Sequence, residues 1–83
     1  MYKIEILKSA DKSLRLLPSD YRTTIAQTIH DLSTNPRPTG CKKLKDSEFY
    51  RIRVGMYRII YSIQDNTLLI VIVRIAYRKE VYR

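Results

Sequence analysis

The chain has 83 residues and a formal net charge of +8, with 45% hydrophobic residues and a single cysteine, Cys41. That length suits one domain near the lower limit for a self-supporting core, and one thiol excludes an internal disulfide or a cysteine-based zinc cluster. A lone thiol also fits a reducing cytoplasm, and the longest apolar run, residues 68–73, is far short of the roughly 20 residues of a membrane helix, so no membrane role is expected.

Residues 2–7 alternate as a first strand, with Glu5 among the apolar positions where a signal peptide would need an uninterrupted apolar core. Ser9 is placed to cap a short helix that carries Ala10, Leu14 and Leu17 on one face and stops at Pro18. Ser19 then caps a second helix, in which Tyr21, Ile25, Ile29 and Leu32 recur at helical spacing. Proline and glycine in residues 35–40 predict a loop.

Three strands are expected next, at about 48–54, 57–63 and 67–75. Gly55-Met56 should form a tight hairpin with the glycine at positive φ, and residues 64–66 a turn. Residues 68–73 are apolar on both strand faces, which puts the last strand centrally with helices on at least one side. The prediction is a single α+β domain over residues 1–83: an N-terminal strand, a two-helix hairpin, then a three-stranded antiparallel meander.

Charge is unevenly spread. Residues 42–58 carry six basic side chains against Asp46 and Glu48, and residues 74–83 carry four against Glu80. Alternation sends Ile52 and Val54 into the core while Arg51 and Arg53 share the other face, roughly 6.5–7 Å apart along the strand. Arg58 has the parity opposite to Tyr57, Ile59, Tyr61 and Ile63, so it joins Arg51 and Arg53 on an exposed face. Clustered arginines with nearby aromatics suit a polyanion such as RNA, and the wider set includes Lys43, Lys45, Arg74, Tyr77, Arg78, Lys79 and Tyr82. Tyr77 and Tyr82 flank Arg78, where bases could stack on their rings; the other reading of Tyr82 is a terminal residue docked on the sheet.

Other chemistries find little support. His30 is the only histidine, the eight acids are scattered without ligand spacing, and two glycines make no phosphate loop, so no metal or cofactor is expected. No histidine lies near Cys41 in sequence to activate it.

Tyr50-Arg51-Ile52-Arg53-Val54-Gly55-Met56-Tyr57-Arg58-Ile59-Ile60-Tyr61, followed by Arg78-Lys79-Glu80-Val81-Tyr82, resembles the RelE/ParE superfamily of bacterial and archaeal toxins over essentially the whole chain. Resemblance to its RelE branch implies an endoribonuclease that enters the ribosomal A site and cuts mRNA, restrained by a cognate antitoxin with a small acidic segment. It also implies catalytic roles for Arg51, Arg53, Arg58, Arg78 and Tyr82, with no metal. RelE has lysines where Arg51 and Arg53 stand, and arginine does not readily give up its proton. The general base is then Lys43, Lys45, Glu48 or Tyr82, or catalysis rests mainly on charge stabilisation and alignment. Two further readings stay open: a ParE-like inhibitor of DNA gyrase without chemistry, and an inactive relative acting as a regulator with its antitoxin.

Overall fold

The computed structural model describes residues 1–77. Its elements are β1 (Lys3–Ile6), α1 (Lys8–Arg15), α2 (Ser19–Asp31), β2 (Lys42–Lys43), β3 (Phe49–Val54), β4 (Tyr57–Gln64) and β5 (Leu69–Tyr77). They form one five-stranded sheet in the order β1-β5-β4-β3-β2. The meander β3-β4-β5 is antiparallel as expected, and β1 joins β5 in parallel, so β5 is internal. The strand not foreseen is β2, a two-residue edge that pairs with β3 through Lys42–Arg51 and Lys43–Tyr50. Two residues carry no periodicity.

Both helices lie on one face of the sheet. Ala10 from α1 and Ile25 and Ile29 from α2 meet Ile59 and Tyr61 of β4 and Ile70, Ile72 and Ile75 of β5; Leu32, just past α2, completes the set. Ile25, Ile59, Tyr61, Ile70 and Ile72 are wholly buried. Each such isoleucine contributes about 1.5–3 kcal/mol relative to exposure, which is how a chain this short sustains a core.

The helix starts differ from the serine caps predicted. Leu7 N–H donates to Ile72 O as an extension of β1, and Leu7 O then accepts from Asp11 N–H, so α1 begins directly after the strand. Pro18, with φ −53° and ψ 147°, occupies the corresponding position before α2. Ser9 and Ser19 therefore lie inside the first turns, where their carbonyls accept from the Ser13 and Thr23 hydroxyls. Asp11 and Asp20 in those turns offset the positive helix ends.

The turn before β5 is also longer than predicted. It spans residues 65–68, and Leu68 adopts φ 51°, an unusual conformation for leucine, while its carbonyl accepts from Lys3 N–H at 2.8 Å. That bond ties β1 to the start of β5.

A polar clasp closes this end of the sheet. Arg37, in the loop after α2, contacts both carboxylate oxygens of Asp65 at 3.4 and 2.9 Å and lies over the Tyr50 ring; Tyr2 hydroxyl donates to Asp65 at 2.6 Å. Arg37 foremost, then Tyr2, holds the Asp65 carboxyl below the usual range. Beneath the clasp, Tyr61 hydroxyl donates to Pro36 O at 2.8 Å, and burial pushes its phenol well above the ordinary value.

Candidate nucleic-acid interface

The sheet face away from the helices is built in rows. Directly opposed residues on antiparallel strands share a face, with Cβ atoms about 4.5–5.5 Å apart. Nearest the Gly55 hairpin, Arg53 of β3 faces Arg58 of β4, which faces Ala76 of β5. The next row, roughly 6.5–7 Å along the strands, runs Lys42, Arg51, Ile60, Arg74 from β2 to β5. Four guanidinium-bearing positions and one ammonium-bearing position thus occupy two adjacent rows.

The grouping of Arg58 with Arg51 and Arg53 on one face, expected from parity, matches this register, which sets Arg53 directly opposite Arg58. Exposure differs. Arg53 is open to solvent and Arg51 half-covered, but Arg58 is only 5% exposed, against the exposed position expected, and Ile60 and Ala76 in the same two rows are buried with it. All three engage other groups of the protein.

Arg74 reaches this face through a β-bulge. Ile60 pairs with Arg74 but Tyr61 pairs with Ile72, which leaves Val73 as the extra residue on β5. Without it, simple alternation from Ile70 and Ile72 would send Arg74 into the core. The bulge turns Arg74 outward and Ile75 inward, the re-aiming that bulges commonly perform. Ile75 is 4% exposed and Arg74 is exposed.

Other placements differ from the sequence reading. Lys43 pairs with Tyr50, the parity of the helix-covered face, and it is Lys42 that stands beside Arg51. Lys45 is exposed in the turn before β3. Tyr77 ends β5 opposite Tyr57 rather than standing in a polar tail. Its ring meets Tyr57 edge-on at 5.4 Å, Tyr57 meets Tyr21 of α2 at 5.0 Å, and Tyr77 lines a groove with Ser9, Ser13 and Leu17 of the α1 segment. Tyr77 therefore has the parity of the helix-covered face, opposite to Arg51, Arg53 and Arg58, while Arg74 lines the same groove. Arg78, Lys79 and Tyr82 lie outside the described residues.

Sequence reasoning also missed Phe49. It has the parity of Arg51 and Arg53, one step further along β3, and is 40% exposed. The available signal was its position at i−2 from Arg51. Among the described residues, no group of three or more His, Cys, Asp or Glu is placed to hold a metal ion. No described helix is long and apolar enough to cross a membrane.

Comparison with known proteins agrees with this architecture. Residues 4–82 match the family described as the ParE toxin of the type II toxin–antitoxin system, parDE. The RelE1 protein of Methanocaldococcus jannaschii is 34% identical over 86 residues, covering 99% of this chain and 96% of that protein. A chain of the archaeal RelE–RelB complex from Pyrococcus horikoshii superposes with a TM-score of 0.84 at 29% identity, covering 93% of this chain and 94% of that one. A chain of the toxin–antitoxin complex RelBE2 from Mycobacterium tuberculosis gives 0.82 at 28% identity, covering 93% and 98%. With its helical hairpin on a five-stranded sheet and its full-length match, the chain belongs to the RelE/ParE superfamily and is a RelE-like toxin of a type II toxin–antitoxin system.

Proposed function

We propose that this toxin is an endoribonuclease that cuts mRNA in the ribosomal A site, in the cytoplasm, and is held in check by a cognate antitoxin. The observation that carries the reading is the pair of arginine rows, Arg53–Arg58 and Arg51–Arg74, on one face of a sheet shared with RelE relatives. Guanidinium forks match phosphate oxygens in pairs, and successive rows are spaced like successive phosphates of an extended strand.

The reaction is attack of a ribose 2′-oxygen on the adjacent phosphorus, with cleavage of the P–O5′ bond. It leaves a 2′,3′-cyclic phosphate and a 5′-hydroxyl. The 2′-hydroxyl proton must leave and the 5′-oxygen must gain one. Between these events the phosphorus bears five oxygens and extra negative charge, which Arg51, Arg53 and Arg58 are suited to stabilise. Arginine is a poor proton acceptor, whereas lysine can serve. Lys42, opposite Arg51, is the lysine standing next to the arginines among the described residues. Arg78 supports the departing 5′-oxygen and Tyr82 orients a nucleotide by stacking.

The relatives solved as RelE–RelB complexes support a RelB-type antitoxin partner for this chain. Its acidic segment would complement the basic face by charge. The chemistry requires no metal, since a cationic side-chain set replaces the ion.

Primer-extension mapping in a translation extract tests the reading. Cleavage of translated mRNA should persist under chelation that leaves ribosomes intact, and Arg78→Ala should abolish it. Equal cleavage of naked RNA, or chelator-sensitive cleavage, would overturn the mechanism. Growth arrest by Arg78→Ala with intact transcripts and inhibited gyrase supercoiling would instead support the gyrase reading that the ParE family match keeps in view.

A further inference from the structure

Phe49 is the chain's one phenylalanine, and no tryptophan is present. Phe49 is 40% exposed, as several other apolar side chains of this chain are, so exposure alone does not single it out. Its surroundings set it apart from a stray surface residue. It lies on the same face of β3 as Arg51 and Arg53, so the three side chains form a line with regular spacing of roughly 6.5–7 Å. Its cross-strand neighbour is Ser62, and Ser62 in turn faces Val71. On the β4 side neither is large enough to cover the ring; on the other side its backbone neighbour is the half-buried Leu44.

The Phe49 backbone is pinned on both sides. Its carbonyl accepts from Leu44 N–H at 2.8 Å, and its own N–H donates to the Ser47 hydroxyl at 2.9 Å. An exposed aromatic ring on a fixed backbone, in line with two guanidiniums, is what a stacked nucleobase needs. The phosphates are held by charge and the base by the ring, which loses little conformational freedom on binding.

We propose that Phe49 is a nucleobase-stacking subsite, binding the base of a nucleotide whose neighbouring phosphates run along Arg51 and Arg53. The proposal rests on the RNA-cleavage reading of this face and adds a direction to it: the strand runs along β3, with the stacked base at the Phe49 end and the Arg53–Arg58 row at the other. Glu5, which reaches the same cross-strand row through Val71, discourages a polyanion from continuing across to β1.

The absence of tryptophan makes a direct test available. The full-length Phe49→Trp variant carries a single indole at the site. Titration at low salt with a short single-stranded oligoribonucleotide should quench its fluorescence, while an abasic oligomer of equal length and charge should not. Leu16→Trp, on the exposed end of α1, should respond to neither. In parallel, Phe49→Ala should weaken binding of the intact oligomer, read by anisotropy of a labelled strand, on the order of tenfold or more. Phe49→Tyr should restore it, and neither substitution should move the melting temperature appreciably.

Binding without quenching, or equal quenching by the abasic strand, would overturn the subsite and leave the nuclease reading untouched. Failure of the wild-type protein to bind the oligomer at all would overturn the subsite as well. Base-dependent quenching by a protein that leaves translated mRNA uncut would uphold the subsite and refute the nuclease reading.

Discussion

Gly55→Ala should destabilise the toxin through two separable effects. Gly55 sits at φ +58°, where a residue with a Cβ costs about 1–2 kcal/mol. Alanine also restricts the unfolded chain, which returns about 0.4–1 kcal/mol. Beyond the backbone, an added Cβ would stand 3.0 Å from Tyr21 Cε1, closer than ordinary contact. The ring cannot simply retreat, because Tyr57 packs against it edge-on at 5.0 Å. Forcing a methyl into a filled site costs about 1–3 kcal/mol. The net loss is about 1–4.5 kcal/mol, centred near 3, or on the order of 10–20 °C in melting temperature for a domain of this size.

Gly40 supplies the internal control. Its φ is +95°, but a Cβ there meets nothing within 4 Å, so Gly40→Ala carries the backbone effect alone. Thermal melts followed by circular dichroism should rank wild type above Gly40→Ala, and Gly40→Ala above Gly55→Ala. In a Tyr21→Leu background, which removes the ring, the cost of Gly55→Ala should shrink towards that at Gly40. Equal losses at the two glycines, or strict additivity with Tyr21→Leu, would refute the claim that the hairpin is seated on the Tyr21 ring.

Two further outcomes are expected. In the translation extract, Arg58→Ala should lose at least about a hundredfold more cleavage than Lys12→Ala, since a cation aimed at transition-state charge is worth several kcal/mol while Lys12 is exposed on α1; equal activities would remove Arg58 from the site. Asp65→Asn should lower the melting temperature at pH 7. Because the folded-state carboxyl is held below its unfolded value of about 3.9, Asp65 contributes above that pH and loses its contribution as the pH falls through the lowered folded value. Melts between pH 7 and pH 2 should therefore converge for the wild type and variant. With Arg37 and Asp65 side chains 45% and 56% exposed, the effect should be modest and weakened by salt; a gap that persists in acid would assign it to something other than this pair.

The elements easiest to read from sequence were those with long periodic runs. The α2 stripe of Tyr21, Ile25, Ile29 and Leu32, the Gly55 hairpin and the internal position of the last strand all follow from local pattern. Where the reading slipped, a non-local contact decided. The Ile72 carbonyl extended β1 to Leu7 and displaced the serine cap, and the Lys3 amide helped fix the Leu68 turn. At the site, Arg51, Arg53 and Arg58 were legible because β3 and β4 pair without interruption around a two-residue turn. Lys42 was not, since its face depends on the register of a two-residue strand. The bulge at Val73 left a usable trace, because strict alternation would have buried Arg74 beside Ile70 and Ile72.

The parallel pairing of β1 with β5 has a consequence for when this protein becomes itself. Lys3 pairs with Leu69 and Ile6 with Ile72, so the first strand made waits for the last described strand before it has any partner in the sheet. The α1 helix waits too, since it packs on β5. As β5 also carries Arg74, the completed fold and the full arginine face arrive together. Contacts this distant in sequence form late and slow folding, because a long loop must close before any of them is rewarded. During synthesis, the ribosome therefore carries an unassembled chain until β5 has emerged, and the arginine face lacks Arg74 before that moment.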